Sequence, residues 1–314
     1  MVMDWKSLTL MQEKRDAYSG DLYLRECWAD MSEIFGATLP NVLGSIALLN
    51  LKPDAVVGRR MRNILNFLVD HQFLPIAAVP IQFTRHSMRE LWRYDWNVYP
   101  VERLAFSTVW YTATEILLFV VQDLRAVDSL AAARRLSGLK GHCVAENRRA
   151  TDLRTVLCPP NRVLNFVHVA EEPIDIVREL GILLDRNERR SLMMEIKNND
   201  QLNRYDTILG EIDRLEKLYP EHDLDVSASL KRLAGSSRER AVAVDYLRKV
   251  IRKGQKIGWN DLCSMIDPLS QDIDRWDFIS VASNVIPIER EVSSPDILTD
   301  EAILRRSKVS RAGG

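Results

Sequence analysis

The spacing of apolar residues changes along this chain, and the changes mark out its organisation. Between Asp21 and Phe35, the residues Leu22, Leu24, Trp28, Met31 and Phe35 fall on one broad face of a helix. The pattern then shortens. Ile46-Ala47-Leu48-Leu49-Asn50-Leu51 is an apolar run that reads as a buried strand, closed by Lys52-Pro53-Asp54. A helix is predicted from Val57 to His71, with Met61, Ile64, Leu65 and Leu68 on its inner face. Phe73 to Phe83 reads as a second strand, and Thr84 can cap a helix running to about Trp96. Glu115 to Val121 reads as a third strand, followed by a helix from Val127 to Leu136 that Gly138 closes. Arg162 to Val169 reads as a fourth strand. Pro173 then opens a helix that runs to about Leu184.

Strands and helices therefore alternate over the middle of the chain, which implies a sheet with helices packed on it. The predicted class is α+β, with four strands in a ferredoxin-like split βαβ arrangement. After Asn187 the strand signals largely stop. Ile208, Ile212, Leu215 and Tyr219 lie at helical spacing, as do Ala243, Tyr246, Leu247 and Val250. The expected division is an N-terminal extension over 1–42, an α+β domain over 43–186, a helical region over 187–285 and a flexible tail over 286–314. Arg305 to Gly314 has the composition of a frayed end.

Charge and cysteine content narrow the classes. The formal net charge of the 314 residues is −1, so no overall basic bias toward nucleic acid or anionic membrane exists. The four cysteines, Cys27, Cys143, Cys158 and Cys263, are not spaced as a metal clip or a redox pair. No apolar run has the length of a membrane span or a signal peptide. The expectation is a soluble protein of the reducing cytoplasm.

Candidate chemistry lies where strands end. Lys52 stands where a strand stops and a helix starts, a place suited to a phosphate-binding cation; a solvated lysine at a turn has the same sequence. His168 ends the fourth strand within Asn165-Phe166-Val167-His168. Histidine can act as a covalent nucleophile when one ring nitrogen is free and a partner holds the other; a structural histidine at a strand end is the plainer reading. In an unbroken strand Asn165 and His168 point to opposite faces, so a local twist is needed if both serve one site. Glu179 follows on the next helix, placed so that it could fold back on the ring or pair with Arg178 at the surface. Arg134, Arg135, Arg154 and Arg162 could converge on phosphates, or be solvated.

Taken together, these motifs resemble a known family. Ile46 to Arg60, with Lys52-Pro53-Asp54-Ala55-Val56, is similar to the first strand and Lys-Pro-Asp-Gly/Ala-Val signature of nucleoside diphosphate kinases. Asn165 to Glu179 resembles their Asn-x-x-His strand and the glutamate-bearing helix after it. The resemblance covers the middle of the chain and leaves both ends unaccounted for. It implies a nucleoside-diphosphate-kinase-like fold and a set of roles. His168 would take the γ-phosphoryl group of a nucleoside triphosphate and pass it to a diphosphate. Glu179 would orient the ring. Lys52 would contact phosphate and ribose, and Asn165 the ribose. Arg134, with Arg135 as its rival, and Arg154 would bind phosphate. Tyr94 and Arg103 would match the phosphate-contacting tyrosine and another arginine. Trp96 and Phe106 are the candidates for the aromatic base clamp. Mg²⁺ would be bound through the nucleotide phosphates, the partners would be ATP and other nucleoside tri- and diphosphates, and a homo-oligomer is expected.

One departure concerns the residues after the histidine. The family has Gly-Ser-Asp there, and this chain has Val169-Ala170-Glu171. Two readings follow: a phosphotransferase working through phosphohistidine, or a nucleotide-binding regulatory module whose helical C-terminal region contacts a protein.

Overall fold

The run Ile46–Leu51 forms strand β1, and all six of its residues are buried. A strand without an exposed face has to lie inside a sheet covered on both sides. Three more strands, β2 (Phe73–Ile81), β3 (Ile116–Asp123) and β4 (Val167–Val169), complete that sheet. The order is β2-β3-β1-β4, with every neighbouring pair antiparallel. This is the ferredoxin-like, α+β arrangement expected from the alternation of elements. The register of β1 on β4 sets Asn50 opposite His168. The computed structural model describes residues 3–125, 130–198, 204–235 and 237–289.

Local chemistry explains where the helices start. Thr84 and Ser87 form a reciprocal capping box ahead of Arg85–Leu91. Glu172 and Asp175 do the same for Pro173–Leu183, where Pro173 fits the first turn. Asp21 caps Leu22–Phe35 by accepting from the Leu24 amide.

Several boundaries differ from those read in the sequence. The helix expected over Val57–His71 is two helices, Pro53–Val57 and Met61–Asp70. Arg59 sits between them in a left-handed conformation, at φ 54°. The helix expected after Thr84 stops at Leu91, and Arg93–Trp96 follows as a separate turn. A helix over Val101–Tyr111 was not expected at all. The helix expected over Val127–Leu136 is Ala132–Lys140, and it ends at Gly141 (φ 81°) rather than Gly138. Residues 126–129 lie outside the described residues. The fourth strand, expected over Arg162–Val169, shrinks to three residues for a reason given with the site.

The C-terminal region is helical, as expected: Arg186–Asn198, Arg204–Leu218, Val226–Ala234, Arg238–Arg252, Trp259–Met265 and Arg275–Val285. The second of its two expected stripes is shifted, because Val244, Leu247 and Val250 are buried while Tyr246 is exposed. These helices dock on the sheet domain through backbone groups. Arg204 Nη1 donates to Ile76 O at 2.8 Å, and Arg59 Nη2 donates to Glu216 O and Tyr219 O at 2.7 Å each. The His222 amide donates to Val57 O at 3.0 Å. A single cluster of buried apolar side chains runs from Leu8 to Ile288. The divisions expected at 42/43 and 186/187 thus fall inside one core. Ile286 and Ile288, expected in a flexible tail, are buried; the rest of that segment, Arg305–Gly314 included, lies outside the described residues. Among the described residues no helix is long and apolar enough to cross a membrane.

The N-terminal helix Leu22–Phe35 packs along Pro173–Leu183. The approach is close enough that a Cβ on Gly181 would lie 2.3 Å from Tyr23 O. Gly181→Ala is therefore expected to destabilise the fold by about 1–3 kcal/mol through overpacking. Gly20→Ala, where a Cβ meets nothing within 4 Å, serves as the control. Urea unfolding of both variants checks this, and equal midpoints would show that the helices yield.

Candidate active site

Asp54 ties the end of β1 to the approach of β4. It is fully buried, and its Oδ2 accepts from the Phe166 amide at 2.7 Å. Phe166 O in turn accepts from the Lys52 amide at 2.8 Å. Between these bonds Phe166 adopts a left-handed conformation, at φ 70°, which is unfavourable for a bulky residue. This kink ends the extended run and leaves only Val167–Val169 as strand. It also answers the facing problem: the chain turns between Asn165 and His168, and both side chains reach one cavity. Burial raises the Asp54 carboxyl above its usual range, against the opposing pull of Lys52.

The cavity has a volume of about 270 Å³. Lys52, Tyr94, Arg103, Arg154, Asn165, His168 and Glu179 line it, so seven of the eight residues expected at the site come together. Arg134 does not. Its Nη2 pairs with Glu172 Oε1 at 2.6 Å, at the N-cap of the Pro173–Leu183 helix. Its rival Arg135 donates to His71 O and lies beside Asp123. Both arginines serve neighbouring chain ends and carboxylates, which their place in a basic helical segment could not reveal.

His168 Nε2 lies 2.8 Å from Glu179 Oε1. The Glu179 carboxylate is held from its other side by Asn50, whose Nδ2 lies 3.4 Å from Oε2. A carboxylate on Nε2 keeps the ring proton there and leaves the Nδ1 lone pair free. The His168 side chain is 20% exposed, so the ring is open to the cavity. Trp92 stands against it, edge-on at 5.2 Å between centroids. Tyr94 lies farther along the wall and donates from its hydroxyl to Ala17 O at 3.2 Å.

The cations form a second layer. Lys52 Nζ donates to Asn165 Oδ1 at 2.5 Å and to Val163 O at 3.2 Å, and it stands 4.6 Å from the Trp110 ring centroid. Burial, aided by Arg154 and Arg103 and opposed by Asp54, brings the Lys52 ammonium down to about 7. Arg154 donates to Asn165 Oδ1, Val167 O and Gly141 O. Arg103 stacks 3.4 Å over Tyr99 and donates to Ile288 O. Arg162, also in the wall, pairs with Glu289. Of the two base-clamp candidates, Trp96 lines the cavity, stacked on Trp92 at 4.9 Å; Phe106 is buried behind Trp110.

Glu171, the replacement for the family's aspartate, lines the cavity and pairs with Lys140 at 3.3 Å. Burial would push its carboxyl up, but Lys140 and Lys14 outweigh this and hold it at about 2. Sequence reasoning missed Asn50, Trp92, Trp110 and Lys14. Asn50 left a signal, since it is the one polar residue in an otherwise apolar strand. Lys14 left none, because a helical lysine far from the motifs looks like any surface cation.

No family model matches the chain, and no curated protein matches it. Among solved structures the chain is similar to the Aquifex aeolicus nucleoside diphosphate kinase in an orthorhombic C222 crystal form. That match has 18% identity and a TM-score of 0.36, covering 46% of this chain and 97% of that one. It is also similar to an NDP kinase from Pyrobaculum aerophilum, at 13% identity and a TM-score of 0.35, again over 46% of this chain and 97% of the other.

Proposed function

We propose that the chain is a nucleotide-binding phosphotransferase that forms a phosphohistidine at His168. The observation that carries this reading is the His168–Glu179 pair, with Nδ1 left open to a cavity whose other walls hold Lys52, Arg154 and Asn165. In the first half-reaction Nδ1 attacks the γ-phosphorus of a nucleoside triphosphate. The N–P bond forms as the bond to the β–γ bridging oxygen breaks, and the electron pair leaves on the diphosphate. In the second half a terminal oxygen of another nucleoside diphosphate attacks the phosphorus, and the pair of the N–P bond returns to Nδ1. Glu179 stabilises the positive charge that develops on the ring. The cations spread the phosphoryl charge, which is the larger part of catalysis in such transfers. Mg²⁺ would arrive on the nucleotide phosphates. Among the described residues no group of three or more His, Cys, Asp or Glu side chains is placed to hold a metal.

One observation favours a nucleotide-sensing module instead. Lys52 and Arg154 spend their donors on Asn165 and on backbone carbonyls of the chain itself. A polyphosphate would have to displace those bonds. Slow or absent transfer with retained binding would decide for the module.

His168→Ala is expected to abolish acid-labile, base-stable labelling from γ-labelled ATP while leaving the circular dichroism unchanged. Labelling at the parent level in that variant would sink the assignment. Lys52→Met should weaken triphosphate binding about tenfold or more and adenosine binding little, because a charge-assisted contact to phosphate is lost. Calorimetry with both ligands reads the difference; equal losses would assign Lys52 to structure alone.

A further inference from the structure

The C-terminal helix Arg275–Val285 and the residues after it reach the cation wall of the cavity. Three bonds join them to it. Ser283 Oγ accepts from Asn161 Nδ2 at 2.9 Å, and Asn161 Oδ1 accepts in turn from the Val163 and Leu164 amides at 2.9 Å each. Ile288 O accepts from Arg103 Nη1 at 2.9 Å. Glu289 takes Arg162 by both terminal nitrogens: Nη2 donates to Oε2 at 2.8 Å, and Nη1 lies 2.7 Å from Oε1. The side chains of Ile286 and Ile288 are buried, which anchors this end of the chain beside the wall.

The cations of the wall differ in how firmly they are held. Lys52 and Arg154 are buried and bonded to Asn165 and to backbone carbonyls. Arg103 is stacked on Tyr99. Arg162 is held otherwise. Its side chain is 36% exposed, and that of its partner Glu289 is 73% exposed. The two-point geometry is good, yet two solvated charges hold each other only weakly. A terminal phosphate presents the same two-oxygen edge with more negative charge. The backbone of Arg162 is meanwhile fixed to the site. Its carbonyl accepts from Asn165 Nδ2 at 2.8 Å, and the next carbonyl, Val163 O, accepts from Lys52 Nζ. The head group can therefore change partners while its base stays in place. Lys256 donates to Asn284 O at 2.7 Å and feels the charges of both Glu289 and Arg162. It supplies a second cation near the carboxylate when phosphate takes the first.

We propose that Arg162 is the exchangeable phosphate cation of the cavity and Glu289 its built-in competitor, so that a polyphosphate binds by displacing the Glu289 carboxylate from the Arg162 guanidinium. The proposal deepens the phosphate-binding part of the functional reading and needs no transfer at His168. One oxyanion replaces another on the same guanidinium. The occupied site therefore selects for charge: a polyphosphate outcompetes a single carboxylate, and an uncharged nucleoside gains nothing from the exchange. Both members of the pair lie outside the Lys-Pro-Asp and Asn-x-x-His motifs.

The test is a double-mutant cycle on the full chain, read by calorimetry with inorganic tripolyphosphate and with adenosine. Glu289→Gln is expected to tighten tripolyphosphate binding about three- to fivefold at low ionic strength, and the gain should shrink as salt is added. Arg162→Gln should weaken that binding about fivefold or more. In the Arg162→Gln background, Glu289→Gln should change nothing further. Adenosine affinity should stay constant throughout. A gain of equal size in both backgrounds would reduce Glu289 to a general source of negative field and overturn the proposal. Unchanged affinity in either single variant would overturn it too, as would the absence of tripolyphosphate binding in both the parent and Glu289→Gln. Labelling of His168 from γ-labelled ATP, measured on the same proteins, separates the two readings. Binding that follows the cycle without labelling removes the transferase and keeps the exchange at Arg162. Labelling with no response to Glu289 or Arg162 does the reverse.

Discussion

The hydrogen bond from the Phe166 amide to Asp54 is the constraint on which the site depends. It holds an aromatic residue in a left-handed conformation, and the Lys52–Phe166 backbone bond closes the same loop. Without that kink, Asn165 and His168 would face opposite sides of the sheet. With it, Asn165 meets Lys52 and Arg154 from below while His168 pairs across the strand with Asn50. Asp54 follows Lys52 by two residues, so one short segment supplies a cation to the cavity and the carboxylate that shapes its opposite wall.

The alternation of strand and helix was legible because β1 and β3 are nearly all apolar and because Thr84, Asp21 and Pro173 carry strong start signals. The Lys52 and His168 ends of the cavity were legible for the same reason: motifs at strand termini fix their own surroundings. What could not be read depended on long-range partners. The strand expected from Arg162 is broken by Asp54, far away in sequence. Arg134 faces Glu172 rather than the cavity because the Ala132–Lys140 helix turns that side to the start of the Pro173–Leu183 helix. The Val101–Tyr111 helix begins behind Pro100 without a side-chain cap. It carries Arg103, Trp110 and Tyr111 to the wall through packing that no local pattern announces.

The segments outside the family's motifs are bound to the site by buried charge. Arg178, on the same helix as Glu179, is 2% exposed and pairs with Asp21 at 2.7 Å and with Glu90 at 2.9 Å. Asp30 gathers Arg186, Arg189 and Arg190 from the first C-terminal helix. Buried ion pairs add little net stability compared with apolar packing, yet breaking one is costly. Their effect here is on position: the helix bearing Glu179 has one seat between the N-terminal helices and the sheet.

Lys52 has a thermodynamic consequence of its own. With its ammonium brought down to about 7, a fraction of these side chains is uncharged in a neutral solution. An arriving polyanion favours the charged form, so association would draw protons from the medium. The observed enthalpy would then contain the ionisation heat of the buffer, and its slope across buffers would count the protons that Lys52 takes up.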